Sequence, residues 1–320
     1  LNVFVNSCDS IGSSHSSWKE WLLDRVLHTE NIFTLWAENQ KDTISKTMSV
    51  AVAHDLNCIS KIAHIPWDAL ISLLEDRIEG QKFLNVFEDG EDKTWEDLCT
   101  EKEIHSWDIH SLARYYSRKG SGVFSIYNGF YWNGTSLEGI DNTDPITLDQ
   151  LLGYDVQKEI LLENTEKFLS GYSANNVLLY GDKGTGKSSM VKALIHEYSH
   201  VGLRIIELPK IHLGDYHRIL NYIEDRKFKF IIFIDDLSFE EHEVEYKHIK
   251  ALLEGGLKIK PSNVLVYATS NRRHLVREVV SDRSSTGYQY NDRNEISPTD
   301  SMQEKLSLAD RFGITLTFIS

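Results

Sequence analysis

In the second half of the chain, short apolar runs alternate with helical periodicity. Val177 to Tyr180 is one such run, ending at Gly181, and Arg204 to Leu208 is another, stopped by Pro209. Phe228 to Ile234, Asn263 to Ala268 and Ile314 to Ile319 complete a set of five. Lys187–His200, Tyr216–Asp225, Glu245–Glu254 and Gln303–Arg311 carry apolar residues at helical spacing between them. Strand and helix in alternation predict an α/β fold, with a parallel five-stranded sheet and flanking helices. Phe230 to Ile234 is apolar throughout and reads as a central strand buried on both faces.

The first half has a different pattern. Trp18, Trp21, Leu22 and Val26 fall on one helical face after a serine-rich start. Pro66 and Gly80 punctuate a predicted helix over Trp67 to Glu79, and Thr94 with Asp97 forms a capping pair ahead of a helix running toward Arg118. Val123 to Trp132 alternates weakly, as strand or turn. No internal repeat is visible. The polar, proline-containing segment Asn142 to Pro145 is the expected seam between a mostly helical N-terminal domain (1–143) and an α/β domain (144–320).

Composition supports two units. All seven Trp lie before residue 150, where they are read as core packing. Residues 1–150 carry 12 Lys and Arg against 24 Asp and Glu, so −12 of the net −14 resides there. An acidic front half disfavours nucleic acid and anionic membranes as partners. With 41% apolar and 26% charged residues over 320 positions, the chain is of the globular class. No apolar run approaches the roughly 18 residues a membrane span needs, and no signal peptide is expected. Cys8, Cys58 and Cys99 are scattered, without a C-x-x-C pair, which fits a reducing cytoplasm. The chain begins at Leu1 rather than Met, so residues upstream are allowed for.

The chemistry enters at the end of the first strand. Gly181, Asp182, Lys183, Gly184, Thr185, Gly186, Lys187 and Ser188 match G-x-x-x-x-G-K-[ST], between a predicted strand and a predicted helix. Chance alone would produce the four fixed positions in roughly one such chain per hundred. Such a loop turns its N–H groups inward around phosphate, helped by the helix N-terminus that follows. Lys187 would reach the β- and γ-phosphates, and the Ser188 hydroxyl would ligate Mg²⁺. Ser189 completes the expected nucleotide-binding loop. Forty-eight residues after Lys187, the run Phe230 to Ile234 ends in Asp235 and Asp236. Asp235 is the expected Mg²⁺ carboxylate, acting through water. Asp236 stands where many ATPases place a glutamate that orients the attacking water, one methylene short, with Glu240 and Glu241 as fallbacks. Asn271 ends the next strand within reach of a γ-phosphate or attacking water. Arg311 ends the last helical pattern, where it could serve a neighbouring subunit's γ-phosphate.

These residues resemble the AAA+ ATPase superfamily of P-loop NTPases, and within it a bacterial family of predicted ATPases, domain of unknown function eight-one-five. The phrases Ala174 to Gly181, Phe233 to Glu240, Leu253 to Leu257, Tyr267 to Leu275 and Glu304 to Phe312 carry the resemblance, over roughly 120–320. It implies that Leu151, Leu152, Gly153 and Tyr154, with Gln157 and Lys158, lie near the adenine. It also implies that Asn271 corresponds to the first sensor and Arg311 to the arginine finger. A helical lid with a second sensor arginine normally follows. Here the sequence stops at Ser320, after the fifth strand, and slow or absent hydrolysis is the expectation for this lid-less chain.

Other motifs carry less. His196-Glu-Tyr-Ser-His200 fits a zinc-protease pattern, but on the helix after the phosphate loop and with no obvious third ligand. His212-Leu213-Gly214 falls where unfolding rings carry an aromatic–aliphatic–glycine pore loop, with histidine a poor grip. Arg272, Arg273, Arg277, Arg283 and Arg293 form a loose basic stretch better suited to subunit or nucleotide contacts than to DNA, and Asp282–Asp300 reads as a polar loop. The resulting expectation is a cytoplasmic, Mg²⁺-dependent ATPase that binds ATP or ADP at the boundary between copies of itself. It would remodel or load an unidentified macromolecular client. The alternative is a nucleotide-gated scaffold with little turnover. A small-metabolite kinase is disfavoured, since Asn271 and Arg311 would then lack roles.

Overall fold

The computed structural model describes residues 18–39, 43–65, 93–238, 245–254, 261–271, 288–290, 296–298 and 308–319. The chain divides into two compact units, Leu1–Ile126 and Tyr127–Ser320. The division precedes the expected seam at Asn142–Pro145, because a hairpin before that proline belongs to the sheet of the second unit. The predicted helix over Trp67 to Glu79 lies outside the described residues, as do Glu240, Glu241 and the five arginines of the basic stretch. Among the described residues no helix is long and apolar enough to cross a membrane.

The first unit contains helices α1 (Trp18–Leu27), α2 (Ile32–Asn39), α3 (Lys46–Ala63), α4 (Trp95–Glu101) and α5 (Ile109–Lys119). Leu23, Leu27, Phe33, Leu56, Leu112 and Tyr116 form its core. Trp95 and Trp107 meet edge to face with centroids 4.8 Å apart, and Trp107 donates its indole N–H to the Leu56 carbonyl at 3.0 Å. Thr94 and Asp97 form the expected capping box. The single helix expected from there toward Arg118 is instead two. Lys102 closes α4, and Asp108 starts α5 by accepting from the N–H groups of His110 and Ser111 at 2.7 and 3.0 Å.

The second unit is built on a seven-stranded sheet. Its strands are β1 (Gly129–Trp132), β2 (Leu137–Gly139), β3 (Val177–Gly181), β4 (Leu203–Glu207), β5 (Lys229–Ile234), β6 (Val264–Ser270) and β9 (Ile314–Phe318), in the order β2-β1-β4-β5-β6-β3-β9. β7 (Tyr288–Tyr290) and β8 (Ile296–Pro298) form a separate antiparallel pair. The five predicted strands are all present and parallel. The two extra strands come from the weakly alternating segment and the hairpin that follows it. β1 pairs in parallel with β4, so Phe130 and Trp132 are fully buried, and β2 closes the edge antiparallel to β1. This also explains why Trp132 did not mark the boundary between units.

Helix α6 (Asp155–Leu169) and α7 (Lys187–Tyr198) supply Leu161, Phe168, Val191 and Leu194 to one sheet face, against Val177, Leu179, Ile231 and Phe233. The alternate residues Leu178, Ile232, Ile234 and Val266 are fully buried too, so the central strands are covered on both sides. The other described α-helices of this unit are α8 (Tyr216–Ile223) and α9 (Glu245–Glu254). The pattern expected to form a helix to Arg311 ends, in its described part, as a 3₁₀ turn over Ala309–Arg311.

Candidate functional site

β3 delivers the chain into the phosphate loop at Gly181, where no other residue fits. Its φ is +141°, and a Cβ there would lie 1.7 Å from the Phe318 carbonyl oxygen on β9. That approach lets the Asp182 N–H donate to the same carbonyl at 2.8 Å, tying the start of the loop to the neighbouring strand. Gly184 and Gly186 both sit at φ +83°, the left-handed conformation that glycine adopts without penalty. Gly186 is the residue from which α7 departs, so the unpaired N–H groups of the first helical turn face the loop's interior.

Lys187 is buried, with its side chain folded onto the loop. Its ammonium donates to the carbonyls of Gly181 at 2.9 Å and Asp182 at 2.6 Å, and to Thr185 Oγ1 at 3.3 Å. Burial holds its pKa below the ordinary lysine value, opposed by the carboxylates of Asp182, Asp236 and Asp235. Across the cavity, Ser188 donates its hydroxyl to Asp235 Oδ1 at 2.5 Å. Thr269 donates to the same oxygen at 2.5 Å. The hydrogen bonds that described residues give the Asp235 carboxylate go to Oδ1, including one from the Asp236 N–H at 3.1 Å. Asp236 is held at φ +48°, and its Oδ1 accepts from Asn271 Nδ2 at 2.7 Å.

These groups line one cavity of about 350 Å³ that includes Lys183 and Ser189 as well. Inward-facing amides and a lysine suit an anion, but two carboxylates on the opposite wall would repel a triphosphate. A divalent cation between them removes that conflict. Ser188 Oγ keeps its lone pairs while its proton goes to Asp235, so a hydroxyl and a carboxylate, hard oxygen donors of the kind magnesium takes, are already side by side. The residues present therefore fit a magnesium–nucleotide pair, in which Ser188 and Asp235 are the groups that could hold the metal.

The sequence-predicted residues divide into three sets. Lys187, Ser188, Asp235, Asp236 and Asn271 are brought together. Leu152 and Gly153 are open to solvent: Leu152 is 91% exposed, and a Cβ on Gly153 would meet nothing within 4 Å. Leu151 meets the loop, 3.6 Å from where a Cβ on Gly186 would be. The segment is anchored by Tyr154, whose hydroxyl donates to the Ile319 carbonyl at 2.9 Å, and by Gln157, which donates to the Thr317 carbonyl at 2.9 Å. Arg311 is remote. Ile314 pairs with Val177 at the start of β3 and Phe318 with Gly181 at its end, so the arginine's turn and the phosphate loop are separated by a strand length of roughly 13 Å.

Two motifs lose their special readings. Leu213 is 1% exposed and His212 packs against Gly134, so the supposed pore-loop grip is occupied internally. His196 Nε2 lies 2.6 Å from the Asp144 carbonyl. Thr269, whose hydroxyl bonds Asp235 Oδ1, carries no role in the sequence reading. It stood in plain view two positions before Asn271, but nothing in a sequence shows that its hydroxyl faces the tip of β5.

The model of the family described as "Protein of unknown function (DUF815)" matches residues 125–320. A Plasmodium falciparum (isolate 3D7) protein named "Putative cell division cycle ATPase" is 36% identical over 160 residues, covering 42% of this chain and 13% of that protein. The proteasome-activating nucleotidase of Methanosarcina mazei is 28% identical over 162 residues, covering 43% of this chain and 38% of the relative. The chain thus spans well under half the length of either curated relative. A solved structure of Thermotoga maritima RuvB, described as a Holliday junction branch migration motor, aligns with 54% of this chain and 47% of its own at 21% identity, with a TM-score of 0.35. With a family match over more than half its length, the chain belongs to the DUF815 family.

Proposed function

We propose that this chain is a magnesium-dependent ATPase. ATP is bound by the loop 181–188, with Lys187 on the β- and γ-phosphates and with Ser188 and Asp235 holding the cation, which neutralises phosphate charge as the terminal bond breaks. Asp236 and Asn271 orient the attacking water. The observation that carries this reading is the 2.5 Å contact between Ser188 Oγ and Asp235 Oδ1 beside a buried lysine. Arg311 serves a neighbouring copy's nucleotide rather than its own, a reading supported by its place at the far end of β9. The work performed is the movement of the helical unit or of a macromolecular client, in a reducing cytoplasm where Cys58 and Cys99 stay as thiols. Calorimetry with ATP and Mg²⁺, followed by steady-state phosphate release, tests the proposal. Uptake that needs magnesium, with multiple turnovers, supports it. No uptake refutes it.

A second reading is a nucleotide-gated scaffold that scarcely turns over. It is favoured by Asp236, whose short carboxylate is held by Asn271 at 2.7 Å. Tight magnesium-dependent binding with at most one phosphate released per chain would select it.

A further inference from the structure

The tip of β5 is held by one residue of β6. Ile234 pairs with Ala268, which brings Thr269 level with Asp235 just beyond the paired strands. Three bonds then run from Thr269 to three successive residues. Its hydroxyl donates to Asp235 Oδ1 at 2.5 Å and accepts the Asp236 N–H at 2.9 Å, while its carbonyl accepts the Leu237 N–H at 2.7 Å. A hydroxyl has one proton to donate and lone pairs to accept with, so it makes the first two bonds at once. Thr269 is 2% exposed, so water does not substitute for it.

We propose that the Thr269 hydroxyl is a positioning residue for the cation, an inference that rests on the ATP–magnesium reading above. Its proton fixes the rotation of the Asp235 carboxylate. Oδ1 is thereby aimed at the Ser188 proton, on a carboxylate that lines the cavity. The Ser188 hydroxyl, its proton given to Asp235, would keep its lone pairs for a cation. The same hydroxyl accepts the Asp236 N–H, a donor shared with Asp235 Oδ1 at 3.1 Å, and so helps hold that residue at its left-handed φ of +48°, with its carboxylate bonded to Asn271. The bonds that the Thr269 hydroxyl makes are to Asp235 and Asp236. It acts through Asp235 and Asp236, as outer groups around a metal orient the groups that hold it.

The test is a pair of substitutions read by ADP binding with and without Mg²⁺. Thr269→Val keeps the shape and removes the hydroxyl. The Mg²⁺ concentration needed for half-maximal ADP binding should rise about 10- to 100-fold, with ADP affinity in excess chelator unchanged. Thr269→Ser keeps the hydroxyl and should titrate like the parent. With Mn²⁺ in place of Mg²⁺, the electron paramagnetic resonance signal of bound metal should change in the valine variant and persist in the serine one. A valine variant with the parent's Mg²⁺ dependence overturns the inference. So does a serine variant that loses Mg²⁺ dependence, an outcome that remains readable if the valine variant fails to fold. Failure of the parent itself to bind ADP with magnesium would instead remove the nucleotide reading on which the inference rests.

Discussion

The helical unit and the α/β unit both bury their apolar side chains, yet they use the backbone differently. In the helical unit, polar side chains mostly finish helices: Ser45, Thr94 and Asp108 cap the starts of α3, α4 and α5. Among the described residues there, one non-glycine, Glu103, has a positive φ, in the turn after α4. In the described part of the α/β unit, both non-glycine residues with positive φ, Tyr154 and Asp236, flank the phosphate loop, where Gly181, Gly184 and Gly186 share that conformation. Left-handed backbone for ordinary residues is unfavourable and persists only where surrounding bonds enforce it. The contrast separates a part built for stability from a part whose conformational cost is concentrated at one cavity.

Substitutions can break that contrast, and the largest effect is expected at the loop's entrance. Gly181→Ala would drive a methyl to 1.7 Å from the Phe318 carbonyl oxygen, so the β3–β9 pairing must open. We expect a loss of about 4 kcal/mol or more in denaturant titrations, together with loss of ATP binding. In the helical unit, Leu27→Ala at a fully buried site should cost about 3 kcal/mol by the same measurement while leaving ATP affinity intact. An equal loss of ATP binding there would erase the division of labour. Lys187→Ala should reverse the pattern, with phosphate release falling on the order of 100-fold and little change in melting temperature, since its bonds are to its own loop. Thr94→Ala removes a cap at the surface of the helical unit and should cost about 1 kcal/mol, with phosphate release at the parent rate.

The same contrast explains what was readable in the sequence. The five parallel strands were legible because all-apolar runs such as Phe230 to Ile234 have one good solution, a strand covered on both faces. The phosphate loop was legible because glycine and lysine spacing there is dictated by local backbone geometry. β1 was ambiguous because Trp132 finds its partners far along the chain: its indole donates to Asp215 at 3.1 Å and Arg218 lies over its ring. The break between α4 and α5 was missed because an isolated aspartate, Asp108, reads as surface charge until it is seen to cap a helix. Thr269 was missed for a related reason: its place depends on which side chain of another strand it faces, and periodicity carries no such information.

The junction between Gly181 and Phe318 also sets a timetable for biosynthesis. The strand that enters the phosphate loop is flanked by β6 on one side and β9 on the other, and Phe318 emerges 137 residues after Gly181 (318 − 181). A ribosome that has released everything up to Asn271 has exposed every side chain that lines the cavity, but not the carbonyl that anchors the loop's first amide. Nascent chains should therefore remain incompetent for nucleotide until the last described strand has cleared the exit tunnel, making this a late-closing, slow-folding pocket that early chaperone contact would protect.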